Sequence, residues 1–159
     1  MKITILAVGK IKEKFFLGAI EEYSKRLSRY CKLEIIEVAD EKTPDNASEH
    51  EEDLIRAKEG ERLRKYIKEG AYVIALAIDG TQYSSEAFSR RVHDLGLNGE
   101  SHLIFIIGGS IGLDKNILQE ADERLSFSKM TFPHQLMRVV LLEQIYRAEK
   151  IMAGEPYHK

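Results

Sequence analysis

The stretch LIFIIGGSIGLDKNIL, residues 103–118, decides the fold. Leu103 to Ile107 is an unbroken apolar run closed by glycine, the pattern of a strand buried on both faces. Gly108-Gly109-Ser110-Ile111-Gly112 then makes a tight turn, and Asp114 stands where a helix N-cap belongs. Ile117, Leu118, Ala121 and Leu125 would share one face of the helix it opens. A strand that passes through glycines directly into a helix is half of a β-α-β unit, and the chain on either side repeats the arrangement.

Upstream, Ile3 to Val8 is a short branched apolar strand ended by Gly9. Phe16, Ile20, Tyr23, Leu27 and Tyr30 recur at helical spacing after it. Leu33 to Val38 reads as a second strand and Asp40 to Ser48 as a turn-rich loop. Ser48 and Glu51 form a capping box for a charged helix reaching Tyr66 or Ile67, with Gly60 as a point of weakness. Ala71 to Ile78 is another apolar strand, ending in Asp79-Gly80, and Ser84-Ser85-Glu86 opens a helix to about Leu95. Downstream, Thr131-Phe132-Pro133 leads into a last helix from about His134 to Ala153. Strands alternating with helices predict one α/β domain over residues 1–159, a mostly parallel sheet covered by helices on both faces.

The length of 159 residues suits one self-supporting core, and 43% hydrophobic with 31% charged residues excludes disordered and fibrous classes. A single cysteine, Cys31, excludes an internal disulfide and a Cys-rich zinc site, and a cytoplasmic location is expected. The first apolar run is too short for a signal peptide, and no run approaches a membrane span. The five histidines, at 50, 93, 102, 134 and 158, lack metal-ligand spacing, so no metal is expected. With 24 basic and 26 acidic residues the net charge is -2, which argues against gripping bare nucleic acid by bulk attraction.

Three places could carry chemistry. The glycine turn fails the P-loop template, because neither Gly108 nor Gly109 is followed by Gly-Lys-Ser/Thr, and it fails the dinucleotide template, because Ile107 sits where a glycine is needed. It is either a plain turn or, with Asp79-Gly80 at the same sheet end, one wall of a pocket. The second place is LSFSKMTFPHQLMR, residues 125–138, where His134 and Arg138 share one helix face. Arg138 lies in the most apolar part of the chain and so calls for an anion or a polar partner. The third is the tail, Gly154 to Lys159, either frayed or a source of an aromatic ring and a titratable histidine. The last helix is itself informative: 12 of the 18 residues from Leu136 to Ala153 are apolar, too many for one stripe. It is central to the monomer or half of a dimer interface, and its position near the C-terminus favours the dimer.

ITILAVGKIKEKF at residues 3–15, the turn at 108–112, LSFSKMTFPHQLMRVVLLEQIYRAEKI at 125–151 and PYHK at 156–159 together resemble the small SPOUT methyltransferases of the RlmH type, the 23S ribosomal RNA (pseudouridine-N3) methyltransferases, over nearly the whole chain. The resemblance implies S-adenosylmethionine as methyl donor, a C-terminal trefoil knot, a homodimer and 23S rRNA within the ribosome as substrate. It places the donor against Leu76, Gly108, Phe127, Ser128, Lys129, Met130, Thr131 and Phe132, and gives catalytic roles to His134, Arg138, Tyr157 and His158. A sulfonium donor has no phosphates, which accounts for the failed templates. The competing readings are a flavodoxin-like nucleotide-binding module without methyltransferase activity and a purely structural dimer. A chain of charge -2 should recognise RNA through local basic groups, such as Lys10, Lys12 and Lys14, Arg90 and Arg91, or Lys129, Arg138 and Lys159, and through the shape of an assembled particle.

Overall fold

The computed structural model describes residues 1–159, and its strands follow the apolar runs closely. In chain order the elements are β1 (Lys2–Val8), α1 (Lys14–Leu27), β2 (Lys32–Val38), α2 (Glu49–Arg64), β3 (Tyr72–Thr81), α3 (Ser85–Leu97), β4 (His102–Ile107), α4 (Lys115–Glu120), β5 (Glu123–Leu125) and α5 (His134–Met152). The strands form one sheet in the order β2-β1-β4-β3-β5. Every pairing is parallel, so all strands end on the same side of the sheet.

The central strands are apolar on both faces because each face has its own core. Ile3 and Ile5 of β1, with Leu103 and Phe105 of β4, pack under Leu27 of α1, Val92 of α3 and Leu141 of α5. Their neighbours Leu6 and Val8, with Ile104 and Ile106, pack on the other side against Leu63 of α2 and Ile117 of α4. Alternation along a strand sends successive side chains to opposite faces, and each fully buried Ile or Leu contributes roughly 1.5–3 kcal/mol. Three helices cover one face and two the other.

The capping box opens α2 as expected: the Ser48 hydroxyl accepts from the Glu51 amide at 3.1 Å, and the Glu51 carboxylate accepts from the Ser48 amide at 3.4 Å. Gly60 does not break this helix. A Cβ there would lie 3.0 Å from the Asp114 side chain, so the glycine admits a close approach of α2 and the turn before α4. Asp114 holds the N-cap position of α4 but makes no capping bond; it is buried against α2 instead.

The expected helix through Leu125 is a departure. Helix α4 ends at Glu120, and Leu125 belongs to the edge strand β5. The Asp122 carboxylate accepts from the Val73 amide at 2.8 Å, and the Asp122 amide donates to the Val73 carbonyl at 2.9 Å. These bonds capture the chain onto the edge of β3 before a further helical turn can form. The 126–133 segment then runs from this edge to α5, which packs on α1 and α3.

Candidate functional site

Because the strands are parallel, the loops after β3 and β4 meet at one end of the sheet, where open α/β sheets place ligands. A cleft of about 840 Å³ lies there, between the end of β3, the glycine turn, and the segment from Leu125 to Met137. Its shape depends on missing side chains. A Cβ on Gly108 would sit 2.6 Å from the Gly112 carbonyl carbon, and one on Gly80 would sit 2.8 Å from the backbone of Arg124 and Leu125. Gly109 and Gly112 bridge each other, and Gly112 has φ +84°, a left-handed conformation natural to glycine. The turn is thereby folded back on itself beneath the cleft.

Leu76, Gly108, Phe127 and Ser128 line the cleft, as do Met130, Thr131 and Phe132. Lys129 is exposed beside them and is not part of the lining. The loop braces itself: the Ser126 hydroxyl donates to the Ser128 carbonyl at 3.0 Å, and the Ser128 hydroxyl accepts from the Met130 amide at 2.9 Å. Met130 is nonetheless 73% exposed, so an apolar side chain stands uncovered at the mouth.

His134, the first residue of α5, also lines the cleft. Its Nδ1 is buried without a hydrogen-bond partner. Burial, reinforced by the charge of Arg138, holds its pKa below the ordinary histidine value, so the ring is neutral at pH 7. Arg138, one turn on, does not reach the cleft. It is 1% exposed and donates to the Glu37 carboxylate, to the Gly9 carbonyl at 2.7 Å and to the Val8 carbonyl at 3.4 Å. The same Glu37 oxygen accepts from the Ile11 amide at 3.2 Å. Arg138 therefore has the polar partner its surroundings demand, supplied by the protein, and it ties the β1–α1 loop to the base of α5. A Cβ on Gly9 would lie 3.5 Å from the His134 ring, so the clamped loop runs beside the histidine.

Removing one partner of a buried pair strands the other, at a typical cost of about 3–5 kcal/mol. A third of the Glu37 side chain is exposed, which moves the expectation for Glu37→Ala to about 2–3 kcal/mol, a fall in Tm of roughly 4–12 °C. Thermal unfolding measures this directly; a change under 2 °C would contradict the clamp.

The tail is neither frayed nor part of its own chain's cleft. The Tyr157 ring meets Tyr146 edge-on at 4.9 Å, and its hydroxyl donates to Glu143 at 3.2 Å. Burial pushes the Tyr157 phenol up to about 12, keeping it a proton donor. His158 bonds Glu86 through Nε2 at 2.7 Å and Arg147 through Nδ1 at 3.1 Å. Arg147, whose guanidinium lies 4.7 Å over the Tyr157 ring, organises this group, and sequence reasoning passed over it. The signal that marked Arg138, a charge in the most apolar helix, marks Arg147 equally. His134 and the pair Tyr157–His158 thus occupy opposite ends of α5.

Cys31 is buried and its thiol is pushed up to about 11 by burial, so it is no nucleophile. No three His, Cys, Asp or Glu side chains form a group that could hold a metal ion, and no helix is long and apolar enough to cross a membrane.

The fold is thus a parallel α/β sheet that carries, at its strand ends, a largely apolar cleft floored by a glycine turn and without a phosphate-binding template. The family model described as "Predicted SPOUT methyltransferase" matches residues 1–158. The chain is 67% identical to ribosomal RNA large subunit methyltransferase H of Bifidobacterium adolescentis, and 63% and 62% identical to the proteins of that name from Clostridium kluyveri and Clostridium novyi; in each case the whole of both chains is covered. In fold it is similar to a probable methylase family protein from Haemophilus influenzae Rd KW20, with TM-score 0.53 at 12% identity, over 99% of this chain and 70% of that one. The chain belongs to the SPOUT methyltransferase family and is of its RlmH type.

Proposed function

We propose that the protein transfers a methyl group from S-adenosylmethionine to N3 of a pseudouridine in 23S rRNA, acting on the assembled ribosome in the cytoplasm. The relatives' names support an rRNA substrate, and the family supports a methyl donor. The observation that carries the donor is the cleft itself: Gly108 has no room for a Cβ, and Leu76, Phe127, Met130 and Phe132 offer apolar walls to a purine ring. Gly108 and the backbone of residues 127–132 would hold the nucleoside, and when bound the donor supplies an electrophilic methyl on a sulfonium sulfur. The flavodoxin-like module is not favoured, since the lining holds no phosphate template.

Most of the rate then comes from in-line placement of nitrogen, methyl and sulfur. A neutral His134 at the cleft accepts the N3 proton, which an imidazolium cannot do. Arg138 acts as a positioning residue, holding Gly9 against His134. Tyr157 and His158 complete the site from the partner subunit of a homodimer, since in their own chain they sit at the far end of α5. That helix supports the dimer: of its 12 apolar residues only Leu141, Leu142, Ile145, Tyr146 and Ala148 are buried in one chain. Membership of the family supports the trefoil knot that the resemblance implies. Two chains of -2 carry -4 together, so shape and local basic groups, among them Lys10, Lys12 and Lys14, would recognise the ribosome.

Calorimetric titration separates the readings. S-adenosylmethionine should bind, and ATP and FMN should not; the reverse pattern would overturn the proposal. The acid limb of kcat/KM should follow His134. Because its folded pKa is depressed, protonation opposes both activity and folding, and both should hold down to about pH 6.5 and fall only below it. A limb centred above pH 7 would contradict a buried neutral histidine.

A further inference from the structure

Arg56 of α2 reaches the cleft from the face of the sheet opposite α5, and no role described so far uses it. It is the single Lys or Arg among the residues that line the cleft. Its Nη1 donates to the Ile111 carbonyl of the glycine turn at 3.0 Å, and its Nη2 donates to Asp53 at 2.7 Å. Its side chain is 20% exposed, while that of Asp53 is 52% exposed and well solvated. A guanidinium carries five N–H groups in a fixed fork, so donors remain free after these two bonds. One group thus braces the turn by its carbonyl and offers a cation to whatever lies above it. Such a fork suits a small planar anion, a carboxylate, better than the strongly hydrated ammonium of lysine does.

We infer that Arg56 recognises the α-carboxylate at the amino-acid end of the methyl donor and so selects an intact donor over nucleosides that lack that end. This rests on the S-adenosylmethionine reading above. The cleft's apolar walls serve the purine, and its only carboxylate, Asp79 at the end of β3, is already paired with Arg124 at 3.4 Å, which leaves Arg56 as the charged group of the lining that faces an anion. A backbone phosphate of the RNA presents related anionic chemistry, and the test distinguishes it.

Wild type, Arg56→Gln and Arg56→Lys are titrated with S-adenosylhomocysteine, which keeps the amino-acid end, and with 5′-methylthioadenosine, which lacks it. Arg56→Gln should weaken S-adenosylhomocysteine by about 10-fold or more and 5′-methylthioadenosine by less than twofold. Arg56→Lys, which keeps the charge and loses the fork, should fall between and serves if the glutamine variant does not fold. Equal losses for both ligands would reduce Arg56 to a brace for the turn and overturn the inference, as would no loss for either. A raised KM for ribosomes with unchanged S-adenosylhomocysteine binding would assign Arg56 to an RNA phosphate and overturn it too. If wild type binds neither ligand, the donor reading itself fails, a result separable from failure at Arg56.

Discussion

Removing the residues after Gly154 is expected to lower methyl transfer by about 100- to 10,000-fold, the range for losing positioned proton-handling groups, while donor affinity changes less than threefold. The separation of effects follows from where the tail lies. Tyr157 and His158 are held by Glu143, Arg147 and Glu86 at the C-terminal half of α5 and on α3, whereas the cleft draws on the first residues of α5. Truncation therefore leaves the cleft's walls intact. Within one chain the tail is held away from the cleft, and on the proposed dimer it serves the partner's. Mixing truncated chains with His134→Ala chains should then restore activity, because a mixed dimer holds one site with both parts intact. Turnover within threefold of wild type after truncation would remove the tail from the mechanism, and failure of the mixture to recover would place each site within a single chain.

Gly108→Ala is expected to weaken donor binding by at least about 10-fold and to destabilise the fold by about 1–3 kcal/mol. The new methyl would lie 2.6 Å from the Gly112 carbonyl carbon, 2.8 Å from its oxygen and 2.9 Å from the Leu113 nitrogen. All three are backbone atoms, so relief requires the turn to move, and the turn is a wall of the cleft. Gly18→Ala is the matched control. Nothing lies within 4 Å of a Cβ there, on an exposed helical position, and alanine should be neutral or stabilise by about 0.5–1 kcal/mol. Isothermal titration and urea unfolding read both variants; equal behaviour at positions 18 and 108 would contradict the account of the turn.

The parts of this fold legible in the sequence are those where local pattern and burial agree. The runs 3–8, 71–78 and 103–107 are apolar at every position but Thr4, and the structure answers with a separate core on each face. Strand β5 was not legible: Glu-Arg-Leu carries no strand pattern, and its pairing depends on Asp122 reaching Val73, 49 residues away in sequence. The same limit applies to the site. That Arg138 needs a polar partner follows from its apolar surroundings, but that the partner is Glu37, 101 residues distant, follows only from the sheet order. The segment 125–138 stands out by its residues, but the donor-binding role of 127–132 follows only from the resemblance, since its Phe, Ser, Met and Thr residues have no periodicity to announce a cleft. Arg147 was as readable as Arg138 by the argument from charge among apolar neighbours. Its partners Tyr157 and His158 reach it only because the tail folds back along α5, and no local pattern announces that return.

The most direct measurement uses ribosomes from a strain lacking this enzyme's activity, incubated with the protein and methyl-labelled S-adenosylmethionine, with the 23S rRNA nucleosides then resolved by mass spectrometry. One labelled methyl per ribosome is expected, on N3 of a pseudouridine, with naked 23S rRNA a much poorer acceptor. No label in 23S rRNA, or label on an atom other than a pseudouridine N3, would contradict it.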